Sequence, residues 1–341
     1  MAAPLASAVE RTTRKSTPET IEADLAALWR ELADAGTPIA RAVMSNLIVF
    51  REGVAGQDEA LDAVTAGLPL DEVGARHPSR LIVIEHKHGA ETPDAPFSAG
   101  VSVVIFGPPH ARYAVEQIVV RSACAEASLP SIVRRFVRGD LPTTVWWTED
   151  LSQVPPLDAF VEMGRQMIYD SRAWQDVRRG IAVLGPLVAG RRIDLADVNW
   201  RRLTPVRQVL KRAPGADRAA SAPDATARIV HRRGEAALAW LAAGWLLGDR
   251  EQGVGAPPVV EESDLEGAIL SVMVRRGADE TTATLSDRSV TVTTGSAPPL
   301  LVGIPVESDA DAVASELRTL AHDASLHDAI AALVRAFADT R

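Results

Sequence analysis

The chain has 341 residues, 47% of them hydrophobic and 24% charged, and a formal net charge of −9. This is ordinary globular composition, long enough for two domains that each bury a core, and its acidity argues against general nucleic-acid binding. A single cysteine, Cys124, excludes an intramolecular disulfide and a cysteine-built zinc site. The longest apolar run, Ala236 to Gly248, has 13 residues, against about 17–25 for a membrane span, and reads as a buried core helix. Met1 to Glu10 lack a charged stretch followed by an apolar core, so a cytoplasmic protein is expected.

Residues 1–17 are small, polar and basic and are expected to lack structure. Thr17-Pro18-Glu19 opens a helix in which Leu25, Leu28, Trp29 and Leu32 recur at helical spacing, and Gly36 ends it. Arg41 to Phe50 reads as a strand, and residues 55–70 read as helix or loop. Strands follow over 80–87, 100–106 and 113–121, then a helix over 126–137, a strand over 141–147, a helix over 157–164 and a strand over 166–169. The spacing then predicts helices over 174–188 and 202–212, a linker over 213–226, a strand at 229–231 and the apolar helix. Strands at 268–276, 281–287 and 289–294 and helices at 309–321 and 326–337 complete the chain. The fold class is therefore α/β: a disordered 1–17, a mixed-sheet α/β domain over 18–171, a helical basic connector and linker over 172–226, and a smaller α+β domain over 227–341.

The recognised catalytic signatures are missing. There is no Gly-x-Gly-x-x-Gly, no phosphate loop, no Gly-x-Ser-x-Gly and no His-Glu-x-x-His, so no cofactor is expected. His77, His86 and His88, with His110, could form a metal group, but their spacing matches no ligand pattern, and exposed polar residues at a strand end are the favoured reading. Charge is segregated instead. From Arg172 to Arg212, ten Arg or Lys face three Asp, a local +7 that leaves −16 for the rest of the chain. Such segregation speaks to partners and steering rather than to fold. Arg201, Arg202 and Arg207 flank a helix start at Thr204-Pro205 beside Trp200. Arginine forks match carboxylates and phosphates, so these three are candidates for partner contact, the alternative being a solvated helix face. Trp146-Trp147 closes a strand, where either one ring faces the core and the other solvent or a partner, or both rings pack inside the protein. Asp140 and Asp170 sit near strand ends. They read as a turn residue before Pro142 and as a helix cap with Ser171, or else as acid/base groups of a sugar-phosphate enzyme with the arginines holding phosphate.

His77-Pro78-Ser79-Arg80-Leu81-Ile82, Asp140-Leu141-Pro142 with Val145-Trp146-Trp147, Ile168-Tyr169-Asp170-Ser171, Asp197-Val198-Asn199-Trp200-Arg201-Arg202-Leu203-Thr204-Pro205-Val206-Arg207, and Ala239-Trp240-Leu241 to Gly244-Trp245-Leu246 occur in that order. Together they resemble the glucose-6-phosphate dehydrogenase assembly protein (OpcA) family over residues 20–340. The resemblance implies a non-catalytic cytoplasmic protein that binds and activates glucose-6-phosphate dehydrogenase, the entry enzyme of the oxidative pentose phosphate pathway and hence of NADPH metabolism. It implies no cofactor, no metal, no membrane and no nucleic acid. On this reading Arg80, Trp146, Trp147, Arg201, Arg202 and Arg207 make partner contacts. Asp140, Pro142, Asp170, Ser171, Trp200, Thr204 and Pro205 carry structural motifs.

Overall fold

A computed structural model describes residues 10–36, 38–53, 61–87, 98–122, 128–212, 225–248 and 257–339, with the backbone alone at 61–62. The expectations that fall on 1–9, 54–60, His88, Cys124 and the linker over 213–224 lie outside these residues. The elements in chain order are β1 (Glu10–Ser16), α1 (Ile21–Asp34), β2 (Ala40–Arg41), β3 (Ser45–Gly53), α2 (Leu61–Val64), α3 (Leu70–Arg76), β4 (Ser79–Lys87), β5 (Ser98–Phe106), β6 (Tyr113–Ser122), α4 (Leu129–Arg134), β7 (Thr143–Trp147), α5 (Asp158–Met163) and β8 (Gln166–Tyr169). After a 3-10 turn at Ser171–Ala173 come α6 (Val177–Gly190), β9 (Asp194–Asp197), α7 (Val198–Arg201), α8 (Thr204–Arg212), β10 (Thr226–His231), α9 (Ala236–Gly248), β11 (Val259–Glu262), β12 (Leu270–Arg276), β13 (Asp279–Leu285), β14 (Ser289–Thr294), β15 (Leu300–Gly303), α10 (Asp309–Thr319) and α11 (Ala324–Ala338). The chain divides into two units. The first holds residues 1–149, 156–169 and 308–320, and the second holds 150–155, 170–307 and 321–341.

In the first unit the strand order is β1-β5-β6-β4-β3-β7-β8, with β2 beside β6. β6, β4, β3, β7 and β8 run parallel, and β5 and β1 add antiparallel at one edge. The continuous apolar runs explain the parallel centre, because strands covered on both faces need no polar alternation. Leu47, Ile48, Val49 and Phe50 of β3 are buried, as are Leu81 to Ile84 of β4. The chain builds outward from β3 through β4 to β6, then returns to the other side of β3 with β7, so the order reverses between β3 and β7. Gly36, at φ +75°, closes the turn after α1 in the left-handed region that glycine adopts without strain.

Residues 10–16, expected to lack structure, instead form β1, which pairs with β5 over Glu10–Ser16. An edge strand buries little, so β1 needs no apolar side chains and gives no hydrophobic signal.

In the second unit six strands order β11-β10-β12-β13-β14-β15, all antiparallel except β10 with β11. β11 and β15 were not foreseen from the sequence, and both are four-residue edge strands. α9 packs on β10, β11 and β12, α8 packs on β13 and β14, and α11 packs on α9 and α6. The apolar run is indeed a core helix, with Ala237 to Ala239 and Leu241 to Leu246 buried. Gly244 sets its approach to α11: a Cβ there would stand 2.6 Å from the Ala329 carbonyl oxygen and 2.7 Å from Leu333 Cγ.

The helical connector expected over 172–226 does not stand apart. Its described elements α6, α7 and α8 belong to the second unit, where Leu184, Trp200, Val206 and Leu210 are buried. α10 belongs to the first unit, where it packs on α3, and Arg76 Nε donates to Asp311 at 2.6 Å. Ser308 and Asp311 close a reciprocal capping box at its start.

Candidate functional site

The motif residues of the first unit lie largely inside it. Arg80, on β4, is 1% exposed. It pairs with Glu22 and, at 3.2 Å, with the fully buried Glu116 of β6. Glu116 also meets Arg41, accepts from Trp29 Nε1 at 2.8 Å, and stands 3.6 Å from Arg138. Trp146 and Trp147 are both buried, and the Trp147 ring stacks on Phe50 at 4.0 Å with 3° between the planes. The expectation that Arg80 and one or both tryptophans face a partner is therefore corrected. β7 lies in the parallel centre of the sheet, where both faces are covered, and Arg80 sits against an inward-pointing carboxylate.

Asp140 is exposed in the turn before β7. That turn is organised by Asn46, which sequence reasoning overlooked. Its Nδ2 donates to Arg138 O (3.0 Å), Leu141 O (3.3 Å) and Thr143 Oγ1 (3.1 Å), and its backbone N–H donates to Pro142 O at 2.9 Å. A polar residue opening an apolar strand was the available signal.

His77 and His86 lie at opposite ends of β4 and cannot converge. His77 is buried beside Ser45 Oγ at 3.2 Å, and burial, with Arg318 nearby, holds its imidazole below the ordinary value. His110 is exposed.

In the second unit the motifs come together. Asp197 ends β9 fully buried, and its Oδ1 accepts from the backbone N–H of Ser171 (3.1 Å) and of Asn199 (2.9 Å). Asn199 Nδ2 donates to Ser171 Oγ at 3.0 Å. Arg202 Nη1 donates to Asn199 Oδ1 at 2.9 Å, and both terminal nitrogens of Arg202 hold Glu235, at 2.7 and 3.0 Å. Asp170 accepts from the Arg172 backbone at 2.9 Å and pairs with its guanidinium. Burial, reinforced by the Asp170 charge, raises the Asp197 carboxyl to about 7, and its Oδ2 finds no hydrogen-bond partner among the described residues. Ser171 therefore bonds inward, and the 3-10 turn after β8 is joined to α7 through one buried carboxylate.

Arg201 and Arg202 of the basic ridge are met by the unit's own carboxylates. Arg201 grips Glu307 with two nitrogens, at 3.0 and 2.6 Å. Arg207 lies over the Trp200 ring, 4.1 Å from its centroid, and bonds Ser325 Oγ and Thr204 Oγ1. Trp200 is buried, and its Nε1 donates to Asp323 Oδ2 at 2.8 Å. Thr204 and Pro205 open α8 half-buried. This corrects the expectation that Arg201, Arg202 and Arg207 form a free cationic docking surface. Sequence counting misses it because Glu235 and Glu307 are remote in the chain from Arg202 and Arg201.

One more group went unnoticed in the sequence. Asp194, at the start of β9, meets His322 and His327, with one ligand atom of each within 4.8 Å of the others.

Two family models match the chain. One is described as the glucose-6-phosphate dehydrogenase subunit N-terminal domain and covers residues 70–185, and the other as its C-terminal domain, covering 193–330. No curated protein matches. Among solved structures, an NAD-binding oxidoreductase from Klebsiella pneumoniae is similar at 10% identity and TM-score 0.45, over 86% of this chain and 95% of that one. An oxidoreductase from Sinorhizobium meliloti aligns at 12% identity and TM-score 0.43, over 86% and 96%. The WlbA dehydrogenase from Bordetella pertussis, in complex with NADH and UDP-GlcNAcA, aligns at 10% identity and TM-score 0.35, over 86% and 95%. Likeness this loose decides neither ligand nor activity. No helix among the described residues is long and apolar enough to cross a membrane.

Proposed function

The chain belongs to the OpcA family of glucose-6-phosphate dehydrogenase subunits, and from this we propose that it is a non-catalytic cytoplasmic partner that binds glucose-6-phosphate dehydrogenase and favours its active oligomer or substrate-competent state. The observation that carries the reading is the pair of matches, which together span both halves of the chain in order. The structure gives it secondary support. At the reversal between β3 and β7, where open α/β sheets hold their ligands, Phe50 and Trp147 stack on one another. Thr148 Oγ1 donates to Phe50 O at 2.7 Å, and Glu149 accepts from the Glu52 backbone at 3.1 Å. These strand ends bond to one another.

A partner without chemistry of its own acts only by binding one state of the enzyme better than another. Moving an equilibrium from 1:99 to 99:1 takes about 5.5 kcal/mol of differential binding. The test mixes purified dehydrogenase with this protein and follows rate, substrate affinity and complex mass across a wide range of ratios. A stable complex with raised rate or affinity is expected. Separate migration with unchanged kinetics at every ratio would remove the reading.

A further inference from the structure

The Asp194, His322 and His327 side chains share no role with the motifs of the candidate site. They come from three places in the second unit: the first residue of β9, the segment before α11, and the first turn of α11. His322 Nδ1 lies 2.9 Å from Asp194 Oδ1, and the two imidazole centroids are 4.3 Å apart. His322 is 42% exposed at its side chain, whereas His327 is buried.

Two imidazoles and one carboxylate converging on one point, with one side open to water, match the three-ligand pattern of an accessible zinc site. We propose that Asp194, His322 and His327 bind a divalent transition metal of the zinc class, with water in the remaining position.

The dimensions fit with small adjustment. Tetrahedral zinc with bonds of about 2.0–2.1 Å needs donors about 3.3 Å apart. The donor atoms lie within 4.8 Å of one another, with His322 Nδ1 and Asp194 Oδ1 at 2.9 Å, so side-chain shifts on the order of an ångström would bring the set to that spacing. Among the described residues His327 Nε2 accepts from the Leu195 backbone N–H at 3.4 Å, a contact long enough to yield to a metal. Imidazole and carboxylate together suit zinc, cobalt or nickel better than magnesium or calcium, which take oxygen ligands. The bound ion would tie the start of α11 to the start of β9.

The experiment uses the full chain with any tag histidines removed and metal stripped by chelator. Zinc is titrated by calorimetry, and cobalt by visible absorption. One equivalent of zinc, a tetrahedral cobalt band and a raised melting temperature are expected. His322→Ala, at an exposed ring, is expected to keep its fold by circular dichroism and to lose at least about tenfold in affinity, in the range second- and first-sphere changes produce. Asp194→Asn is expected to lose affinity likewise, while His110→Ala leaves it unchanged. Absence of a saturable first equivalent, or equal affinity in wild type and His322→Ala, overturns the site.

Discussion

The two units handle their arginines differently. The first unit buries Arg80, which is 1% exposed between Glu116 and Glu22, deep in the parallel sheet. The second unit holds Arg201 and Arg202 at the end of α7 nearer to solvent: their side chains remain 25% and 27% exposed while forking onto Glu307 and Glu235. In both places the guanidinium is matched by a carboxylate. What differs is solvent, and solvent sets what each pair is worth. A buried pair cannot lose a member without stranding a charge, whereas a half-exposed pair is screened and weak. Arg201 and Arg202, counted in the +7 run of the sequence, are therefore not free positive surface.

The sharpest way to break this comparison is Glu116→Gln. It leaves Arg80, with Arg41 and Arg138 beside it, facing a neutral amide, and is expected to destabilise by about 3–5 kcal/mol. Denaturant unfolding of the full chain reads the change, and a loss under about 1 kcal/mol would mean that the Glu116 cluster is wetter than its burial implies.

Asp197→Asn tests the buried carboxyl of the second unit. The folded Asp197 titrates near 7, against about 3.9 when unfolded. Between those values the folded state holds the extra proton, so this group's contribution falls as pH rises from about 4 to about 7 and is level above. The asparagine keeps the Oδ1 acceptor and removes the titration. The variant is expected to gain on wild type by on the order of 2–3 kcal/mol between pH 5 and pH 8. Taking the difference between the two proteins cancels His77 and His327. Their lowered values act in the opposite sense, costing stability as pH falls below about 6.5. A pH-independent difference would show that Asp197 stays ionised throughout.

Gly244→Ala probes packing with no charge involved. The new methyl meets a carbonyl oxygen and Leu333, and overpacking of this kind costs about 1–3 kcal/mol. A melting temperature at or above wild type would show that α9 and α11 have slack.

Arg201→Ala is expected to cost about 0–1 kcal/mol and to leave dehydrogenase activation as it was. Lost activation in a folded variant would mean that Arg201 leaves Glu307 for the partner, and would restore the cationic docking account.

Much of the architecture was readable along the chain. The buried runs of β3, β4 and β5, the apolar α9, and α1 with its glycine stop all announce themselves, because continuous burial and helical periodicity leave a local imprint. Edge strands such as β1, β11 and β15 bury too little to leave one. The Asp197 and Asp170 motifs could be picked out as special, but that Ser171, Asp197 and Asn199 bond one another could not, since 26 residues separate Asp197 from Ser171.

By itself the sequence determined the α/β class, the family and the elements that run through the core, since apolar spacing and ordered motifs are properties of neighbours along the chain. Only the tertiary structure decided which charges are spent inside the protein. Arg201 finds Glu307, Arg80 finds Glu116 and Asp194 finds two histidines more than a hundred residues away. Electrostatic matching depends on distance in space and on exclusion of water, and neither is written in the spacing of residues.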